Sequence, residues 1–173
     1  MKTKLLAVLI AILIVIGGVF FNLMMTPGSV PQAMTIEKEI KKVPFPDIGF
    51  PTADGKTIFL KDLKEPTVLV HFWAAWCAPC HAEFPDLLKY VEQSNGKIAL
   101  LAISVDYDYK KSQAFLDKLD TDAPHLYWAW DKSRSIAIRG FNTAKIPETI
   151  IVQKGLMTKK IIGPGPWKEA LKD

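Results

Sequence analysis

Cys77 and Cys80 are the only cysteines in the chain, three residues apart in "HFWAAWCAPCHAEFP". A bond between them would close almost no loop and restrain little of the unfolded chain, so the pair is there for chemistry and not as a staple. Two chemistries share the string. C-x-x-C is a redox dithiol, and C-x-x-C-H, completed by His81, is the attachment site of a c-type haem. Haem would use both thiols and His81 as axial ligand, with Met157 as a second ligand, inside a pocket usually built by helices. Zinc would need about four ligands, and beyond the two thiols only His71, His81 and His125 are available.

The elements around the motif decide between them. "TVLVHFWAA" is apolar almost throughout and rich in β-branched and aromatic residues, the pattern of a strand buried on both faces. "PCHAEFPDLLKYVEQSNG" carries Phe84, Leu87, Leu88 and Val91 at helical spacing, with Asn95-Gly96 as its stop and Pro85 expected to kink its second turn. A strand thus ends near Trp76 and a helix starts at about Ala78. A haem pocket does not fit a buried strand running straight into the motif, and a single C-x-x-C makes no structural zinc site, so no metal and no cofactor is expected. Cys77 falls instead at a helix N-terminus, where unpaired N–H groups and the macrodipole favour its thiolate, the nucleophilic form. Cys80, one turn on, can attack a mixed disulfide formed at Cys77. Pro79 is tolerated in the first turn, where its nitrogen needs no partner.

Further along, "KIALLAISVD" reads as a second buried strand and "DYKKSQAFLDKLD" as an amphipathic helix. "HLYWAW" reads as a short strand, and "SRSIAIRGF" as a short helix ended by Gly140. "ETIIVQKGLMTKKIIG" is a hairpin turning at Lys154-Gly155, and "PWKEALKD" is a closing helix with Pro166 in its first turn. Before the dithiol, prolines at 44, 46 and 51 exclude a helix, "ADGK" is a turn and "TIFL" a short strand. The order predicts a three-layer α/β/α domain on a mixed central sheet, with a parallel crossover and an antiparallel C-terminal edge.

The chain has 173 residues, 23% of them charged, with a net charge of +4 to which Lys2 and Lys4 contribute two. No basic stripe with interleaved aromatics appears, so no nucleic acid is expected as a partner. After "MKTK" an apolar run begins at Leu5 and ends at Met25, interrupted only by Asn22 and long enough to cross a bilayer as a helix. "TPGSVPQAM" offers no good small-x-small exit, so the run reads as an uncleaved signal-anchor, not a removed signal peptide. The expected organisation is a transmembrane helix over 1–25, a polar tether over 26–42 and one domain over 43–173, placed on the extracytoplasmic side.

"FWAAWCAPCHAEFPDL" resembles the active-site segment of the thioredoxin superfamily. Together with the N-terminal anchor, "FPDIGFPTADGKTIFLKDLKEPTVLVHFWA", "LLAISVD" and "IPETIIVQKG", it resembles more closely the TlpA/ResA/CcmG-type membrane-anchored thiol–disulfide oxidoreductases, over roughly residues 43–173. The resemblance implies a thioredoxin-like fold in which Cys77 and Cys80 cycle between dithiol and disulfide. It implies that Pro147 is a cis-proline facing them, and that the Ile146 backbone pairs with a substrate strand. Trp76 would border that groove beside Pro79, while Trp73 belongs to the core and Trp128 and Trp130 are core or edge aromatics. Glu83 matches an active-site acid in C-x-x-C-x-x-E whose pKa burial would raise; the alternative is a surface Glu favouring the helix N-terminus. His81 is expected to be solvated.

The resemblance further implies a protein-disulfide reductase with a cysteine-containing client such as apocytochrome c, kept reduced by a membrane electron donor. "FNTAKIPET" departs from the usual glycine-containing approach to the proline, which bears on the shape of the groove. Two other readings stay open: a thiol peroxidase of peroxiredoxin type, against which W-C-A-P-C stands where a T-x-x-C setting belongs, and a non-catalytic binding module, against which the intact C-x-x-C stands.

Overall fold

The computed structural model describes Gly17, residues 35–119 and residues 123–167. The apolar run from Leu5 to Met25, Gly17 apart, and the closing helix beyond Trp167 lie outside the described residues. Among the described residues no helix is long and apolar enough to cross a membrane.

A six-stranded mixed sheet forms the centre. Its strands are β1 (Ile36–Pro44), β4 (Thr67–Trp73), β5 (Ile98–Ser104), β6 (Leu126–Trp130), β7 (Glu148–Gln153) and β8 (Leu156–Ile162), in the spatial order β1-β8-β7-β4-β5-β6. A separate two-stranded ribbon joins β2 (Gly49–Pro51) to β3 (Thr57–Phe59). β4 pairs in parallel with β5 and antiparallel with β7, so both of its edges are satisfied, and all but its first residue are buried. That is why its sequence is apolar without alternation.

Helix α1 (Ala78–Gln93) carries the chain from β4 to β5, and α2 (Tyr109–Leu116) lies between β5 and β6. The two parallel steps β4→β5→β6 run the same way across the sheet, and right-handed crossovers then put both helices on one face. Phe115 of α2 accordingly packs against Phe84 of α1 and Trp73 of β4. Among the described residues the opposite face carries the β2–β3 ribbon, a 3₁₀ turn at Leu60–Asp62 and a short π-type helix at Ile136–Gly140. Phe45, Phe50, Phe72 and Phe141 form an aromatic cluster there.

Residues 36–42, expected within the tether, are instead part of an edge strand. β1 pairs antiparallel with β8, from Ile36 opposite Ile162 to Pro44 opposite Leu156, with a register shift between Glu39 and Val43. The physical reason is that β8 would otherwise present an open edge, which "IEKEIKKVP" closes with backbone hydrogen bonds. Its charged, largely exposed side chains discourage pairing with a further strand.

Other local features follow the sequence closely. The hairpin turns at Lys154-Gly155, both at positive φ (51° and 76°), the geometry of a type I′ turn. α1 runs through Pro85 to Gln93, although Pro85 supplies no N–H to the His81 carbonyl.

Phe72 is fully buried in the aromatic cluster, on the face away from α1. Phe72→Ala is expected to cost about 3–5 kcal/mol of stability, measured as a lower urea midpoint, while the purified oxidised protein retains its Cys77–Cys80 bond.

Candidate functional site

Where β4 ends, the chain makes a short turn and re-enters as α1. Cys77 is the N-cap residue of that helix, and its Sγ accepts a hydrogen bond from the Cys80 N–H at 3.3 Å. Pro79 lies in the first turn, as its missing donor permits. Cys77 and Cys80 are joined by a disulfide, and both are buried. On reduction the same N–H and the N-terminal end of the helix dipole would face a thiolate at Cys77.

The turn is anchored by Asp106, a buried carboxylate just beyond β5. Its Oδ2 accepts the Ala75 N–H at 2.7 Å, the Ser112 hydroxyl at 2.7 Å and the Ser104 hydroxyl at 3.1 Å. One carboxylate therefore ties the residues before Cys77 to the end of β5 and to α2. Asp106 stands in "LLAISVD", where the sequence pattern does not mark it as a site residue. A lone Asp after an apolar strand was its only signal.

The Ile146–Pro147 peptide bond is cis. The loop bearing it is fastened from below by Glu148, whose Oε1 accepts the Lys160 ammonium at 2.9 Å and the Thr143 hydroxyl. Lys160 also donates to the carbonyl oxygens of Phe141 at 3.0 Å and Asn142 at 3.3 Å. Trp76 and Ile146 line one groove of about 380 Å³, together with Val105, Ala137, Ile138 and Arg134. Trp76 is 59% exposed, and the Arg134 guanidinium lies 5.8 Å from its ring centre. Trp76 also borders a second concavity, with His81, Phe115, Lys111 and Lys118. The residue next to Cys77 is thus an exposed aromatic wall between two recesses. Trp73 is in the core. His81 is not simply solvated: its ring stacks on Phe115, 4.0 Å between centres and 10° from parallel.

Glu83 lies one turn beyond Cys80 on the same helix and is 6% exposed, so the surface alternative does not hold. Its Oε2 accepts the Gly165 N–H at 2.7 Å and the Trp167 indole N–H at 2.9 Å. Gly165 has no room for a side chain, since a Cβ there would meet the Trp167 ring at 2.2 Å. Burial pushes the Glu83 carboxyl up to about 7, against the opposing pull of those two donors. Its other oxygen, Oε1, lies 3.6 Å from Nε2 of His71, and among the described residues neither atom has a hydrogen-bond partner. His71, fully buried in β4, is held down to about 3 by burial and is neutral. The pair is therefore not a salt bridge. From the sequence His71 stands only among the zinc candidates, and its one signal is a lone imidazole within an apolar strand.

The arrangement combines a sulfur at a helix N-terminus, a second sulfur one turn behind it and a buried acid that burial raises to about 7. A family model described as the AhpC/TSA family matches residues 42–158. A thiol-disulfide oxidoreductase ResA of Bacillus cereus is 30% identical over 164 residues, covering 94% of this chain and 90% of that protein. The thioredoxin-like protein YneN of Bacillus subtilis (strain 168) is 33% identical over 128 residues, 72% of each. Among solved structures, a DsbF homologue from Corynebacterium diphtheriae has the same thioredoxin-like fold, with a TM-score of 0.63 at 24% identity over 85% of this chain and 93% of that one.

Because the folded state holds the Glu83 proton more tightly than the unfolded state, the contribution of this group to stability is fully present below about pH 4.5 and is lost as the pH rises through about 7. The loss attributable to this group is on the order of 3 kcal/mol. Urea titrations of wild type and Glu83→Gln across that window check it: the variant is expected to lose most of that slope.

Proposed function

The chain belongs to the AhpC/TSA family and is a thiol–disulfide oxidoreductase, and from that premise we propose that it is a protein-disulfide reductase. The observation that carries the reading is the Cys77–Cys80 pair at the N-terminus of α1 with Glu83 buried one turn behind it. In the reduced protein the Cys77 thiolate attacks one sulfur of a client disulfide. A bond forms between Cys77 and that sulfur, and the other client sulfur leaves as a thiolate. Cys80 gives its proton to the Glu83 carboxylate and attacks Cys77 Sγ, releasing the second client thiolate and closing the Cys77–Cys80 disulfide. Two electrons pass to the client, and an electron donor must supply them again.

The client is a cysteine-containing protein that lies in the groove between Trp76 and Ile146, with its backbone against the Ile146–Pro147 loop and Pro79. An exposed indole beside the nucleophile and an apolar floor suit an extended peptide. We further propose that the run from Leu5 to Met25 anchors the protein, with its domain on the extracytoplasmic side and a membrane protein as donor. The client class we favour is apocytochrome c before haem attachment, whose paired cysteines must be reduced to react. The haem-attachment pattern would then belong to the client.

Cys80→Ser is expected to accumulate a mixed disulfide with the client, seen as a reducible adduct on non-reducing gels, while Cys77→Ser forms none. A redox titration of the purified protein tests direction. A potential well above that of its compartment would make it an oxidant and overturn the reductase reading.

A further inference from the structure

The two oxygens of Glu83 have opposite surroundings. Oε2 is occupied by two N–H donors, from Gly165 and Trp167, so a proton arriving on the carboxyl has no acceptor on that side. Oε1 lies 3.6 Å from His71 Nε2, and among the described residues neither atom has a hydrogen-bond partner. His71 Nδ1 is 2.9 Å from the Thr149 hydroxyl on β7, opposite it in the strand register. A threonine hydroxyl both donates and accepts, so it can receive an N–H from Nδ1 and leave Nε2 as a bare lone pair.

We propose that His71 is a positioning residue for the acid: in the Nδ1–H tautomer, anchored by Thr149, its Nε2 accepts the proton that Glu83 carries on Oε1, and the Gly165–Trp167 segment holds the opposite oxygen in place. The carboxyl is thereby gripped from two sides with opposite effects. The imidazole lone pair favours the protonated acid, whereas the two N–H donors favour the carboxylate. In the proposed reduction, the proton leaving Cys80 arrives on Oε1 and is held there until the dithiol is restored; no charge appears on the imidazole.

Ala102 of β5 stands beside His71 in the register and Ile161 of β8 beside Thr149, while the Phe84 ring of α1 meets the imidazole edge-on. Among the described residues, the titratable groups on the elements packed against the pair include Cys80 on α1 and Tyr90, which packs on Trp167.

This inference rests on Glu83 acting as the proton acceptor for Cys80, and the test separates the two. In full-length protein, the Glu83 carboxyl is titrated by carbon NMR, and the pH dependence of mixed-disulfide resolution is measured alongside. His71→Leu, which removes the acceptor, is expected to lower the midpoint by about one unit. Trp167→Phe, which removes a donor, is expected to raise it by a similar amount. A merely structural role would not produce shifts of opposite sign. Nitrogen NMR of wild-type His71 requires no variant to fold: with Glu83 protonated, it should report the Nδ1–H tautomer with an unprotonated Nε2. An Nε2–H tautomer, or a midpoint unmoved in a folded His71→Leu protein, would overturn the inference. If Glu83→Gln leaves the resolution profile unchanged while both midpoint shifts are found, the role assigned to Glu83 in the reaction fails and the two-sided grip stands.

Discussion

The chemistry of this chain depends on the turn at which a fully buried strand becomes a helix. β4 brings the backbone to the carboxyl end of the parallel strands, and α1 begins there with its unpaired N–H groups. A sulfur at that junction meets both a hydrogen-bond donor and the positive end of a helix dipole. The turn is short and has few internal bonds of its own. It is held from outside by the Asp106 carboxylate, which gathers three donors from the turn, β5 and α2. A buried carboxylate is tolerated because its hydrogen bonds replace the lost solvation.

Glu83 represents the contrasting case. Its burial is only partly compensated, since one oxygen has two donors and the other faces a neutral imidazole. Asp106 shapes the backbone, while burial raises the Glu83 carboxyl to about 7, the property on which its proposed proton exchange with Cys80 rests. The residual cost of burying it lowers stability at neutral pH, a trade often made where a reactive site is kept inside a fold.

Around this centre the rest of the fold acts as scaffold. Glu148, Lys160 and Thr143 pin the loop that carries the cis Ile146–Pro147 bond, and Trp76 and Ile146 come to line one groove although seventy residues separate them in the chain. β1 closes the far edge of the sheet with a strand so rich in charge that it reads as a linker. Its pairing with β8 depends on backbone hydrogen bonds and not on a buried face, which is why no hydrophobic pattern announced it.

The dithiol, the buried strand before it, the helix after it and the I′ turn of the hairpin were all determined by local sequence. Each rests on a spacing, a periodicity or a residue's φ preference that acts within a few positions. The surroundings of Glu83 were not. Three residues after Cys80 on one helix face, it could as well have been a surface acid. What made it buried, and raised its pKa, was the approach of Gly165 and Trp167 from more than eighty positions away and of His71 from the neighbouring strand. Desolvation and hydrogen bonding are properties of a three-dimensional neighbourhood, so they arise only when the chain has folded.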